Sequence, residues 1–119
     1  MAVDILPEMR VARQSDRVVL TPSAVYSATF NSAKQAVGQY NEIVAVLDVT
    51  VDNGTTLDVK FQVSADNGIT WTDLGVAFTQ AAAATVEAKF LTNFGDCIRT
   101  VNTIVGTSWT FSVKFVGKS

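Results

Sequence analysis

Hydrophobic and polar positions alternate with a period of two along most of the chain. Leu57, Val59, Phe61 and Val63 fall on one face and Asp58, Lys60 and Gln62 on the other. A half-buried strand requires this pattern, because successive side chains point to opposite sides of a sheet. Trp109, Phe111, Val113 and Phe115 alternate in the same way with Thr110, Ser112 and Lys114. In the run EIVAVLDVTV, residues 42–51, the expected core positions are Ile43, Ala45, Leu47, Val49 and Val51. Weaker alternations predict strands over 17–20, 24–30, 74–79, 85–91 and 97–105, where Val86, Ala88 and Phe90 oppose Glu87 and Lys89.

Turn chemistry divides these runs. Thr21-Pro22-Ser23, Asn93-Phe94-Gly95-Asp96 and Gly106-Thr107 each predict a reversal, and Asp52-Asn53-Gly54 reads as a hairpin turn. The alanines 81–84 could favour a helix, but so short a run is not stable unaided, so a loop or single turn is expected there. About eight strands and no helix predict an all-β chain, a single antiparallel β-sandwich of jelly-roll or Ig-like type.

Residues 1–16 keep neither period. Pro7 interrupts them, yet Ile5, Leu6, Met9 and Val11 make them more apolar than an ordinary disordered tail. They read either as an extended N-terminal arm that docks on a body of the fold or a neighbour, or as a frayed terminus. The domain proper is 17–119.

Composition narrows the function. At 119 residues the chain suits one core. Apolar residues make up 48% and charged residues 17%, so the surface must be rich in Thr, Ser, Asn and Gln, as suits a subunit packed in an assembly. A net charge of -2 offers no clustered basic face for nucleic acid, and Arg10, Arg13 and Arg17 are the only local excess. There is no histidine, which removes the commonest general base and zinc ligand. Cys97, the one cysteine, is expected to be a small buried hydrophobe. No secretory signal and no apolar run of membrane-spanning length are visible, so synthesis in a cytoplasm is expected, with no membrane partner.

Ser64, Asp66, Gly68, Thr70 and Trp71 fit S-x-D-x-G-x-T-W, the Asp-box pattern of sialidases and other β-propeller hydrolases. Its physical content is a hairpin in which Ser and Asp side chains bind the turn's amides while Trp packs beneath. One copy in a chain too short for a propeller is expected to be structural. Among the acids, Asp48 and Asp58 could approach across the expected hairpin, but a glycosidase needs two carboxylates facing across a cleft. They read better as solubilising charges. Calcium at Asp52, Asn53 and Asp66 is chemically possible, but both DNG triplets are already explained as turns. Tyr40 and Phe94 are the loop aromatics left for a sugar platform. No enzyme, cofactor or metal is expected.

The segments YNEIVAVLDVTV (40–51), TLDVKFQVSADNGITWTDL (56–74) and FGDCIRTVNTIVGTSWTFSVKFVGK (94–118) together resemble a family of small β-sandwich virion proteins of tailed bacteriophages. Each segment is a generic β motif; their order and spacing, over residues 35–118, carry the likeness. The resemblance implies a capsid decoration (cement) protein on the virion surface, self-associating, usually as a trimer, and joining major capsid protein subunits. Ile5, Leu6, Met9, Arg10 and Arg13 would then contact the capsid or a neighbour. The alternatives are a virion-exposed Ig-like or carbohydrate-binding adhesion module, and a tail or head-completion subunit.

Overall fold

A computed structural model of the protein describes residues 15–119. The arm residues Ile5, Leu6, Met9, Arg10 and Arg13 lie outside the described residues. Seven strands follow in order: β1 (Ser15–Tyr26), β2 (Phe30–Asn31), β3 (Gln35–Ala36), β4 (Glu42–Ser64), β5 (Thr72–Ala77), β6 (Thr85–Leu91) and β7 (Cys97–Lys118). There is no helix among the described residues. The architecture is all-β and antiparallel, one open seven-stranded sheet consistent with a β-sandwich. Ser15 and Asp16, the last two residues of the segment expected to be arm, lie in β1.

Two very long strands form the frame. β4 has 23 residues and β7 has 22, and they pair from Glu42↔Lys118 to Ser64↔Cys97. β1 pairs with the second half of β7, and β2 and β3 pair with its first half. On the other side of β4, β6 pairs with residues 43–49 and β5 with residues 60–63. Each half of the molecule is therefore a four-strand layer: β1–β7–β4–β6 in one, and β2/β3–β7–β4–β5 in the other.

The halves join at a waist where the register slips three times, between Val49 and Val51, Asp52 and Gly54, and Gly54 and Thr56. Each slip shifts the facing by one residue, since an extra residue on one strand turns the next side chain to the other face. Val49 and Leu57 are both buried, but Val51 between them is 44% exposed, which corrects its placement among the core positions. On β7, the inward positions change from Ile98, Thr100 and Asn102 to Trp109, Phe111, Val113 and Phe115.

Three expected reversals are overturned here. Asp52-Asn53-Gly54 is not a turn, because β4 runs straight through it. Its chemistry serves the bulge instead: the Gly54 amide donates to Asp52 Oδ1 at 3.2 Å, and Gly54 opposes Gly106. Gly106 has φ +103°, a conformation that needs glycine, and it likewise lies within one continuous strand. Thr21-Pro22-Ser23 is also inside a strand, where β1 accommodates it by two register shifts against β7.

Inward residues of both halves close on one core built from Ile43, Leu47, Leu57, Phe61, Trp109 and Phe111 with their neighbours. Phe78, from the loop after β5, packs on Phe61 with ring centroids 5.4 Å apart and the rings tilted by 52°. Tyr26 and Phe30 stack at 4.4 Å and cover Phe111. Loss of any one of the large aromatics at this depth costs about 3–5 kcal/mol. Tyr40, expected on a loop surface, belongs to the core instead. Its ring lies edge-on to Phe115 and directly over Gly117, and its hydroxyl donates to Asp16 Oδ2 at 2.7 Å. Cys97 is a free, buried thiol.

Candidate functional site: a cross-linked turn and an exposed apolar face

At the far end of β4, the chain reverses into β5 through Ala65–Trp71. The reversal requires positive φ at Asn67 (60°) and Gly68 (88°). Ser64 Oγ sits at the centre: it donates to Asp66 Oδ1 (2.7 Å) and accepts the amides of Asp66 (3.2 Å) and Gly68 (2.8 Å). Asp66 Oδ1 also accepts the Thr70 amide at 2.8 Å, and Trp71 Nε1 donates to the Gly68 carbonyl at 3.0 Å. Ser64, Asp66, Gly68, Thr70 and Trp71 thus stand in one hydrogen-bonded unit. The Thr70 amide is the largest cause holding the Asp66 carboxyl down at about 2, with the Ser64 hydroxyl next.

Residues distant in sequence secure this turn. Arg99 lies 4.3 Å from the centre of the Trp71 ring while its Nε and Nη2 donate to Gln62 Oε1. Lys34 Nζ donates to the Asn67 carbonyl at 2.8 Å, and the Asn67 amide donates to Asp96 Oδ2 at 3.2 Å. The Asp96 amide donates to the Ser64 carbonyl, and a side chain on Gly95 would strike that same oxygen. Trp71 is half-buried and packs on the turn and on Arg99, outside the core cluster.

No catalytic pair is assembled by the acids named from the sequence. Asp48 and Asp58 lie on opposite sides of the waist of one strand, and Asp58 accepts the Gln80 amide nitrogen at 3.0 and 3.1 Å. Asp52 is at the waist and Asp66 at the end of β4, so no shared calcium site forms between them. Among the described residues, no group of three or more carboxylates or thiols could hold a metal ion.

The outer face of the β1–β7–β4–β6 layer is a surface the alternation did not bring forward. The register sets side chains in rows across four strands: Arg17, Val116, Val44 and Phe90, then Val19, Lys114, Val46 and Ala88, then Ser112, Asp48 and Val86. A shallow groove between β1, β7 and β4 is lined by Val19, Val44, Val46, Val116, Arg17 and Lys114. Phe90 is 75% exposed, Val86 67% and Val19 52%. β6 therefore turns its apolar side outward. Glu87 pairs with inward-facing Leu47 and receives the amide and hydroxyl of Thr79 (2.7 and 3.0 Å). The signal for this face is the unbroken run Ile43–Leu47, because a strand apolar on both sides is one covered on both sides.

No family model and no curated protein matches the chain. Among solved structures, the fold is similar to that of the SPBc2 prophage-derived protein YomS, with a TM-score of 0.66 at 14% identity over 90% of this chain and 95% of that one. It is also similar to a chain from the structure of infectious bursal disease virus, Gx strain, with a TM-score of 0.52 at 9% identity; the match spans 89% of this chain but 33% of the viral one. At these identities the likeness is one of fold, a β architecture shared nearly end to end with a prophage-derived protein.

Proposed function

We propose that this protein is a structural subunit of a bacteriophage virion, a capsid decoration or cement protein. In this reading it forms a homo-oligomer, a trimer, on the outer surface of the head and bridges major capsid protein subunits. It performs no catalysis, and the cross-linked turn at Ser64–Trp71 serves rigidity.

The observation that carries the reading is the near-complete two-way match of fold with a prophage-derived protein. The resemblance of segments 40–51, 56–74 and 94–118 to small phage virion proteins supports it. So do the exposed Val19, Val86 and Phe90 on the outer face of β1–β7–β4–β6, which is uncovered among the described residues, since exposed apolar surface suits a protein that functions in contact with another. The arm residues Ile5, Leu6, Met9, Arg10 and Arg13 supply lateral contacts to the shell or to the neighbouring copy.

The test is attachment. Expanded empty shells of the phage that encodes the chain are incubated with it, sedimented, and assayed for bound protein. Saturable binding that falls when residues 1–14 are removed supports the reading. Shells that stay bare, or binding to tails instead, move the protein to another part of the virion.

A further inference from the structure

The edge of a sheet carries unpaired backbone amides and carbonyls, and folds guard it with prolines, bulges or very short strands. β1 is guarded in this way, since it contains Pro22 and slips register twice against β7. β5 contains Gly75 at φ +85° and pairs with a register shift, and β2 and β3 have two residues each. β6 has none of these devices. Thr85–Leu91 pairs with β4 at every residue without a slip, and no strand pairs with its other edge among the described residues.

Charges that point inward can also close an edge, and Glu87 and Lys89 lie half-buried on the inner side of β6. Their signs and spacing make them complementary instead. They flank Ala88 symmetrically, and within one chain Lys89 Nζ lies 3.6 Å from Glu87 Oε2. A second β6 laid antiparallel about a two-fold axis at Ala88 sets Ala88 opposite Ala88, Glu87 opposite Lys89, Val86 opposite Phe90 and Thr85 opposite Leu91. Each charge then meets its opposite, and each exposed aromatic ring meets a β-branched side chain, both favourable cross-strand pairings. Sliding the second strand by two residues would set Glu87 against Glu87 or Lys89 against Lys89, which is unfavourable. Sliding it by one would turn its faces over.

We propose that β6 of one copy pairs antiparallel with β6 of a second copy about a two-fold axis at Ala88, so that the four-strand layers of the two chains join into one sheet. The contact is isologous, the same residues serving on both sides. It goes beyond the proposed function, whose three-fold association it does not use, because it joins a chain of one trimer to a chain of the next. An edge of 7 residues is well short of the roughly 20–30 residues a side of a stable interface. The contact therefore forms where chains are crowded, as on a shell, and is transient in dilute solution.

Cysteine trapping in concentrated protein reads the contact and its register without any shell. Directly opposed residues have Cα atoms about 4.5–5.5 Å apart, within reach of a disulfide. The two copies of Val86 would instead be offset by about 13 Å along the strands. Both Ala88 and Val86 are exposed on the outer face of β6, so substitution at either spares the core. Chains carrying Ala88→Cys should form disulfide-linked pairs about tenfold or more faster than chains carrying Val86→Cys. A mixture of Val86→Cys and Phe90→Cys chains should give chiefly the product with one chain of each kind. Cys97 is buried, and unsubstituted chains serve as control. Equal rates for Ala88→Cys and Val86→Cys, or a mixture that links at random, would overturn the proposal. Shell attachment is read in a separate assay, so a protein that decorates shells without this linkage pattern refutes the β6 contact alone.

Discussion

The hydroxyl of Tyr40 donates to the carboxylate of Asp16, on edge strand β1, across 24 residues of sequence. The ring beneath it rests on Gly117, where even a methyl group would lie 2.7 Å from ring carbons. One residue therefore ties the loop before β4 to edge strand β1 at Asp16 and to the last residues of β7.

Tyr40→Phe keeps the ring and removes the bond, leaving Asp16 without this donor. The expected loss is about 1 kcal/mol at neutral pH, read as a fall in the thermal midpoint of a few degrees. Burial, and then the bond to Asp16, raises the Tyr40 hydroxyl above its ordinary range. The folded state thus prefers the protonated phenol, and the associated stability is complete below about pH 10 and is lost as the pH rises through the raised value. Melting curves of the native chain should fall more steeply above pH 10 than those of Tyr40→Phe.

Asp66 gives the opposite dependence. Its carboxyl is held near 2, below the usual aspartate range, so its contribution is present above about pH 4 and disappears as the pH falls towards 2. Asp66→Asn should melt below the native chain at pH 7, and the gap should close progressively between about pH 4 and pH 2. A gap that is constant with pH would mean that the carboxylate charge does not hold the turn.

At the waist, Gly106 adopts φ +103°, and a side chain there would strike Thr55 and Gly54 of the facing strand. Gly106→Ala should therefore cost more than about 1 kcal/mol in denaturant unfolding. Gly38, which has open space around it and an ordinary backbone, is the control, and Gly38→Ala should change little.

Asn102 is fully buried between β2 and β4, and neither atom of its amide finds a hydrogen-bond partner among the described residues. A buried polar group without a protein partner opposes folding. Asn102→Leu, similar in size and apolar, should raise stability by about 1–3 kcal/mol. A lower melting temperature would show that the amide is satisfied in solution.

Much of this fold is legible in local sequence, because alternation reports burial directly. Ile43 to Val49, Leu57 to Phe61 and Trp109 to Phe115 all face the core as their period requires. The failures share one cause. Asp52-Asn53-Gly54 is chemically suited to a hairpin and to a bulge alike, and what selects the bulge is Gly106, 52 positions later, meeting it across the sheet. Val86 and Phe90 alternate as core residues do, but the register with Leu47 gives the inward positions to Glu87 and Lys89. The turn at Ser64–Trp71 shows the same division. Its own five residues can be read from their spacing, whereas Arg99, Lys34 and Asp96, which secure it, come from elements 29 to 37 residues away from the partners they bind.

The proposed role as a self-associating part of a virion is tested by the mass of the protein in solution, measured by light scattering and followed by titration onto expanded empty shells. A particle of three chains that saturates the shells at a fixed ratio to the major capsid protein is the predicted result. A monomer that leaves the shells bare at every concentration would contradict it.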